Sequence, residues 1–291
     1  MFFSIVIPLY NKSYSINNCI TSVLSQTHKG FEIIIVNDGS TDDSLSIVRD
    51  IYASEIDSKI IKVIDQPNQG VSAARNKGVN IAKSDYICFL DADDEWKPSF
   101  LEEMYSLITD FPEANLYCLQ HETKVNEEDP IRNRCYYKDG FRGYVKNFFK
   151  ASLIGSIANS SKICIKKSAL YSVGGFPEGS KSGEDLYVWI RMSLNGNVAF
   201  HNKVLARVNV LQDLSRSGRS VSIPYPFIYY NGDTNSELNS WSKAYLFRIY
   251  LAHMSASLRS KDIESAKART VAASGIFPFL KLISTSLKII K

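Results

Sequence analysis

Apolar runs and amphipathic stretches alternate along the first 110 residues. Ser4–Leu9 (SIVIPL), Phe31–Val36 (FEIIIV), Ile60–Ile64 and Tyr86–Leu90 (YICFL) are short and rich in apolar side chains. Runs of that length and character predict buried strands. Between them, Ser15–Gln26, Leu45–Tyr52 and Gly70–Ala82 repeat apolar residues at helical spacing, and Phe100–Asp110 does so after the fourth run. In the first of these, Ile16, Cys19, Ile20, Val23 and Leu24 share one face. Asp42 or Asp43 is placed to cap the second. Four strand–helix repeats predict an α/β fold with a doubly wound, mostly parallel sheet. Continuous rather than alternating apolar strands mean that helices cover both faces.

Beyond residue 115 the pattern loosens. Leu116–His121 reads as a strand and the polar Glu122–Arg134 as a surface loop. Phe141–Ala151 reads as a short aromatic helix, and Ile163–Ile165 as a strand. Lys167–Val173 reads as a helix ended by Gly174-Gly175. Asp185–Asn195 is amphipathic, and Val198–Val210 reads as strand pairs. A Ser/Arg-rich link (Ser215–Ser222) and a Pro/Tyr stretch (Pro224–Tyr230) lead to a helix over Ser240–Arg259. The expected division is a main domain over 1–220, in two halves (1–115 and 116–220), with a C-terminal helical appendage over 221–291.

Composition narrows the class. The 291 residues are 45% hydrophobic and 22% charged, which excludes wholesale disorder. The net charge of +4 argues against a dedicated nucleic-acid partner. That charge is uneven: residues 201–291 carry 13 Lys and Arg against 5 Asp and Glu, whereas residues 1–200 carry 21 against 25. Five scattered cysteines without CxxC spacing suggest neither zinc nor disulfides, as expected of a cytoplasmic protein. No apolar stretch reaches the roughly 20 residues that span a bilayer. Phe2–Leu9 is too short for a signal peptide.

In open α/β sheets, ligands bind beyond the carboxyl ends of the strands. Three of those ends are polar or acidic here: Pro8-Leu9-Tyr10-Asn11, Asn37-Asp38-Gly39-Ser40 and Asp91-Ala92-Asp93-Asp94. Carboxylates spaced like Asp91 and Asp93 can share a hard divalent cation with phosphate oxygens. Gly70–Gly78 lacks the GK[ST] ending of a P-loop, and Asp38-Gly39 is no dinucleotide fingerprint. Arg75, near a helix start, is placed to meet a phosphate or the acidic turn.

Taken in order, five segments resemble the family 2 glycosyltransferases, which have a GT-A fold. They are Val6–Asn11, Val36–Asp42, Asn68–Asn76 (NQGVSAARN), Leu90–Asp94 and Gly183-Glu184-Asp185. The resemblance covers about residues 1–215 and makes 1–220 a catalytic domain, with 1–115 its nucleotide-sugar-binding half and 116–220 its acceptor-binding half. It implies an inverting enzyme that moves a sugar from a nucleotide-sugar, usually a UDP-sugar, to a hydroxyl of a glycan acceptor. Pro8, Tyr10 and Asn11 would line the nucleotide pocket, with Asn68, Gly70 and Ala92 beside it. Asp38 would meet the uracil edge, Arg75 would lie under the nucleotide, and Asp91 would face the ribose. Asp93 would hold Mn²⁺ or Mg²⁺ against the diphosphate, Asp185 would be the catalytic base, and Glu184 would support base or acceptor. Many members carry a His where Asn209 stands; an Asn binds such a metal through its amide oxygen, more weakly. His201 is expected to be structural.

The lysine-rich apolar end, Lys281–Lys291 with Phe277 and Phe279, is expected either to pack on the catalytic domain or to lie in a membrane interface. The family resemblance makes a lipid-linked acceptor at the cytoplasmic face of the membrane a further expectation, as in bacterial surface polysaccharide synthesis. One rival reading is a non-catalytic nucleotide-sugar-binding scaffold. Another is a nucleotidyltransferase, which would want a Lys or Arg near the first strand; the Tyr10-Asn11 ending argues against it.

Overall fold

The computed structural model describes residues 1–210 and 222–282. The strands are β1 (Phe3–Leu9), β2 (Phe31–Asp38), β3 (Ile61–Gln66), β4 (Tyr86–Phe89), β5 (Glu95–Trp96), β6 (Ala114–Val125), β7 (Ile131–Arg132), β8 (Arg142–Tyr144), β9 (Ile163–Lys166) and β10 (Asn197–Val210). The helices of the first half are α1 (Ile16–Leu24), α2 (Ser44–Ile51), α3 (Ala53–Asp57), α4 (Val71–Ile81) and α5 (Phe100–Asp110). Those that follow are α6 (Phe148–Ser152), α7 (Lys167–Ser172), α8 (Glu184–Asn195), α9 (Tyr225–Tyr229), α10 (Ser240–Arg259) and α11 (Ile263–Ala273).

One sheet runs in the order β3-β2-β1-β4-β9-β6-β10-β5, with β7 on β6 and β8 on β10. The first four strands are parallel, in register from Phe3 against Phe31 to Leu9 against Asn37. This half is doubly wound, as the sequence pattern predicts. The antiparallel β9 then joins β4 to β6, so the second half is mixed. Alternate strand residues feed two apolar layers. Phe3, Ile5, Ile7, Ile33 and Ile35 pack with α1, α2 and α5, while Val6, Ile34 and Val36 pack with α4, α8 and the C-terminal helices. Each fully buried aliphatic side chain contributes about 2 kcal/mol. On the second face α4 lies close enough to β1 that a Cβ at Gly78 would fall 2.4 Å from Val6 Cγ1, so only glycine fits.

Three local readings change. Glu122–Val125 continues β6 rather than opening a loop. Glu122 is in register with Arg207 of β10 and accepts from that guanidinium and from Lys97 at 2.9 Å each, so a polar sequence is held as strand by charges across the ladder. The predicted aromatic helix over 141–151 begins only at Phe148. Arg142–Tyr144 pairs instead with Ala199–His201, and Asn147 caps α6 by accepting from the Lys150 amide at 2.8 Å. Finally, Val198–Val210 is not a set of strand pairs but most of one 14-residue strand, whose register against β6 shifts around Val204.

The helices after residue 222 join the second layer. Tyr245, Leu246 and Tyr250 of α10, with Ile276, Phe277 and Leu280 beyond α11, share one apolar cluster with Phe148, Phe149 and Tyr187. The buried Arg269 guanidinium ties this pair together. It donates to the Ser222 carbonyl at 3.3 Å, to the His253 carbonyl at 3.2 Å and to Ser257 Oγ. Among the described residues, no helix is long and apolar enough to cross a membrane. The expected boundary near residue 220 and the tail from residue 283 lie outside the described residues.

Candidate active site

The polar strand ends meet at one rim of the sheet, along a cleft of about 1160 Å³. Every site residue expected from the sequence lines it. Pro8, Tyr10 and Asn11 follow β1, Asp38 ends β2, and Asn68, Gly70 and Arg75 surround the start of α4. Asp91, Ala92 and Asp93 follow β4, Glu184 and Asp185 open α8, and Asn209 comes from β10.

The β2 end is held from within. Asp38 is buried and accepts from the Gln69 and Gly70 amides at 2.9 and 2.8 Å and from Gln66 Nε2 at 2.8 Å. Its carboxylate thus shapes the Asn68–Gly70 loop into the α4 start as well as facing the cleft. Asn11 has a left-handed backbone (φ 50°), tolerable for Asn, and its Oδ1 accepts from the Thr41 amide at 2.8 Å. Asp42, not Asp43, satisfies the α2 start: its Oδ1 accepts from the Ser44 amide at 3.0 Å.

Arg75 joins the two sides of the cleft. Its guanidinium is 4% exposed and donates to Asp91 Oδ1 at 2.8 Å and to Glu184 Oε1 at 3.0 Å. It lies 5.3 Å over the Phe176 ring. Burial works against the charge, but Asp91, Glu184 and Asp185 outweigh it and raise the Arg75 pKa. The next residue, Asn76, holds the chain leading to α8. It donates to the Phe176 carbonyl at 2.8 Å and accepts from the Phe176 amide at 2.9 Å.

Glu184 and Asp185 sit in the first turn of α8, where the macrodipole favours negative charge. Gly183 before them is left-handed (φ 73°), and a Cβ there would fall 3.0 Å from Pro224. Burial and the neighbouring Glu184 push the Asp185 carboxyl up to about 6, although Arg75 pulls the other way. A carboxyl at that value is largely ionised at neutral pH yet basic enough to take a proton.

The three aspartates after β4 have different partners. Asp91 is paired with Arg75. Asp94 is buried and accepts from Ser161 Oγ and from the Asn209 amide; burial, with Asp93 and Asp91 nearby, raises its pKa well above the usual range. Asp93 Oδ2 lies 2.6 Å from Lys12 Nζ. Burial opposes the Lys12 charge, but Asp93 more than offsets it and the pKa is raised. Asn209 Nδ2 donates to the Asp93 carbonyl at 2.8 Å and to Glu95 Oε1 at 3.0 Å. Among the described residues, no three His, Cys, Asp or Glu side chains gather as a metal-binding group. His201 bonds Glu103 on α5 at 2.9 Å, a contact outside the cleft lining.

Among the cleft residues that the sequence reading does not single out are Lys12 and His253. Lys12 stands one position past the Tyr10-Asn11 ending and reaches Asp93, so a cation does follow the first strand, contrary to expectation. His253, with Ile249, reaches the cleft from α10. Only the packing of α10 on the second layer brings them there, and no local motif marks them.

Residues 4–177 match the model of a family described as "Glycosyl transferase family 2". An uncharacterized glycosyltransferase of Rickettsia felis is 32% identical over 209 residues, which are 71% of this chain and 33% of that one. The amylovoran biosynthesis glycosyltransferase AmsB of Erwinia amylovora is 42% identical over 108 residues, 36% of this chain and 35% of that one. The chain thus spans about a third of the length of these relatives. Among solved structures, S. aureus TarS 1-349 in complex with UDP-GlcNAc has the same fold, with a TM-score of 0.62 at 18% identity over 94% of this chain and 91% of that one. With the family's span covering the strand ends, the acidic turn and Arg75, the chain belongs to glycosyl transferase family 2.

Proposed function

We propose that this chain transfers a sugar from a nucleotide-sugar, a UDP-sugar in the first instance, to a hydroxyl of a glycan acceptor with inversion at the anomeric carbon. The observation that carries this reading is the Arg75 bridge. It fixes the acidic pair at the α8 start across the cleft from the strand ends where a donor binds. Support for the donor comes from TarS with UDP-GlcNAc, and for a polysaccharide acceptor from the amylovoran relative.

The chemistry asks little else of the protein. The acceptor oxygen attacks the anomeric carbon, the bond to the diphosphate oxygen breaks, and the nucleoside diphosphate leaves. Asp185 takes the proton of the attacking hydroxyl. A single displacement inverts the configuration, so no carboxylate nucleophile is needed. Glu184, held by Arg75, keeps Asp185 beside a second negative charge and so keeps it basic.

The residues present fit a divalent cation on limited terms. Asp93 would hold it, with the amide of Asn209, bonded to the Asp93 carbonyl through Nδ2, as a second candidate ligand and the rest from diphosphate and water, a set that suits Mg²⁺ or Mn²⁺. When bound, such a cation offsets the charge developing on the leaving group.

The test is a panel of UDP- and other nucleotide-sugars, scored by thermal shift and by nucleoside diphosphate release with a glycan acceptor, for the parent and D185N. A ligand that binds the native state raises its melting temperature. Donor-induced shifts in both proteins with release only by the parent are expected. Equal release by D185N would remove Asp185 as the base. Parent protein that neither shifts nor turns over with any nucleotide-sugar would sink the reading. Attachment to a lipid-linked acceptor at the cytoplasmic face of the membrane extends this proposal, checked by flotation of the full chain with anionic vesicles.

A further inference from the structure

The cleft holds a cation of its own. Lys12 Nζ lies 2.6 Å from Asp93 Oδ2, the carboxylate a metal would use, and 2.9 Å from Tyr14 Oη. Its backbone is anchored, because the Lys12 amide donates to Ser44 Oγ at 2.7 Å and its carbonyl accepts from the Ser15 and Ile16 amides. The side chain is 18% exposed. Its long stem lets the ammonium swing while the backbone stays fixed. The other two aspartates of the turn are committed elsewhere, Asp91 to Arg75 and Asp94 to Ser161 and the Asn209 amide. Asp93 is therefore the carboxylate for which an ammonium and a divalent ion compete.

We propose that Lys12 is a diphosphate-binding residue that also holds the metal position: it neutralises Asp93 in the empty cleft and turns to the donor's phosphate oxygens when a cation takes Asp93. This rests on the reading of the cleft as a nucleotide-sugar site. Two like-charged cations cannot share one carboxylate oxygen closely, so a metal ion at Asp93 repels the ammonium. The nearest new partner for that ammonium is the diphosphate the metal brings with it. An ammonium on a phosphate is a strong charge-assisted contact. In the absence of metal, Lys12 would still give the cleft residual affinity for a diphosphate.

The experiment uses parent, K12M and K12R proteins without donor. Each is titrated with Mn²⁺, free ion being read by electron paramagnetic resonance, and with pyrophosphate in EDTA and in saturating Mn²⁺ by calorimetry. Freeing Asp93 from its ammonium should tighten Mn²⁺ binding in K12M about fivefold. Pyrophosphate affinity of K12M should fall about tenfold in EDTA and about threefold in Mn²⁺. K12R keeps the charge and should retain most of the EDTA affinity, which separates loss of charge from loss of fold. Equal Mn²⁺ binding by parent and K12M, undetectable binding by both included, overturns the competition for Asp93. Equal pyrophosphate binding in EDTA overturns the phosphate role. The parent is also titrated with UDP and a panel of other nucleoside diphosphates: protein that binds pyrophosphate but none of these would defeat the nucleotide-sugar reading and leave Lys12 standing.

Discussion

The two walls of the cleft are made by different means. One wall consists of strand ends and the short turns after them, fixed by hydrogen bonds between neighbouring strand ends and to the start of α4. Asp38, Asn11 and Asp91 sit there on a sheet that is buried on both faces. The opposite wall is assembled from the α8 start, the Pro224 turn and α10, none of which belongs to a strand. Its residues are placed by helix packing and by two clamps, Arg75 on Glu184 and Arg269 on Ser222. A wall of strand ends can be written in short motifs, whereas one built by packing needs distant side chains in place.

The sharpest break of that comparison is at the proposed base. D185N should lower turnover by about 10³-fold with donor affinity nearly unchanged, as measured by initial rates and donor calorimetry. If both walls carried donor affinity, binding would fall too. Next in size is the link between the walls. R75M leaves Glu184 and Asp91 without their cation and should cost about 3 kcal/mol of stability, read from denaturant midpoints. An R75M protein of parental stability would mean that the two walls stand independently.

The pH profile sharpens the same contrast. As the proposed base, Asp185 must be ionised to accept a proton, so kcat/KM should fall as pH drops through about 6, tenfold per pH unit below it. A limb near pH 4 would show that the packed wall does not perturb the base. Stability should move oppositely. The folded pKa of Asp185 lies above its ordinary value of 3.8, so the native state binds the proton more tightly than the unfolded chain does. That contribution is present at low pH and lost as pH rises through the window from about 4 to 6, and D185N should gain about 1 kcal/mol at pH 7. The smallest expected effect is at α10. H253A should raise the acceptor KM a few-fold, about 1 kcal/mol, while leaving the donor Kd in place. A change confined to the donor would assign α10 to the other wall.

The same contrast decides what could be read from the sequence. The parallel strands and their polar ends were legible because each is local: an apolar run, then a turn rich in Asp, Asn and Gly. The five family segments extended this to Gly183-Glu184-Asp185, and all the residues they nominate line one cleft. Glu122–Val125 reads as loop in the sequence because its strand character depends on Arg207, 85 residues away. Lys12 carries no sequence signal, because a lysine after a turn looks like any solvated lysine until Asp93, 81 residues on, closes against it. His253 carries no local signal at all.

The buried guanidinium of Arg75 has an evolutionary consequence. With both ends engaged, Asp91 and Glu184 are not independent positions. Losing either carboxylate unbalances the charge seen by the other and by Asp185, so their substitution effects should be epistatic rather than additive. Divergence along this lineage is then steered toward the parts of the cleft that Arg75 does not touch, where acceptor preference can drift without disturbing the base.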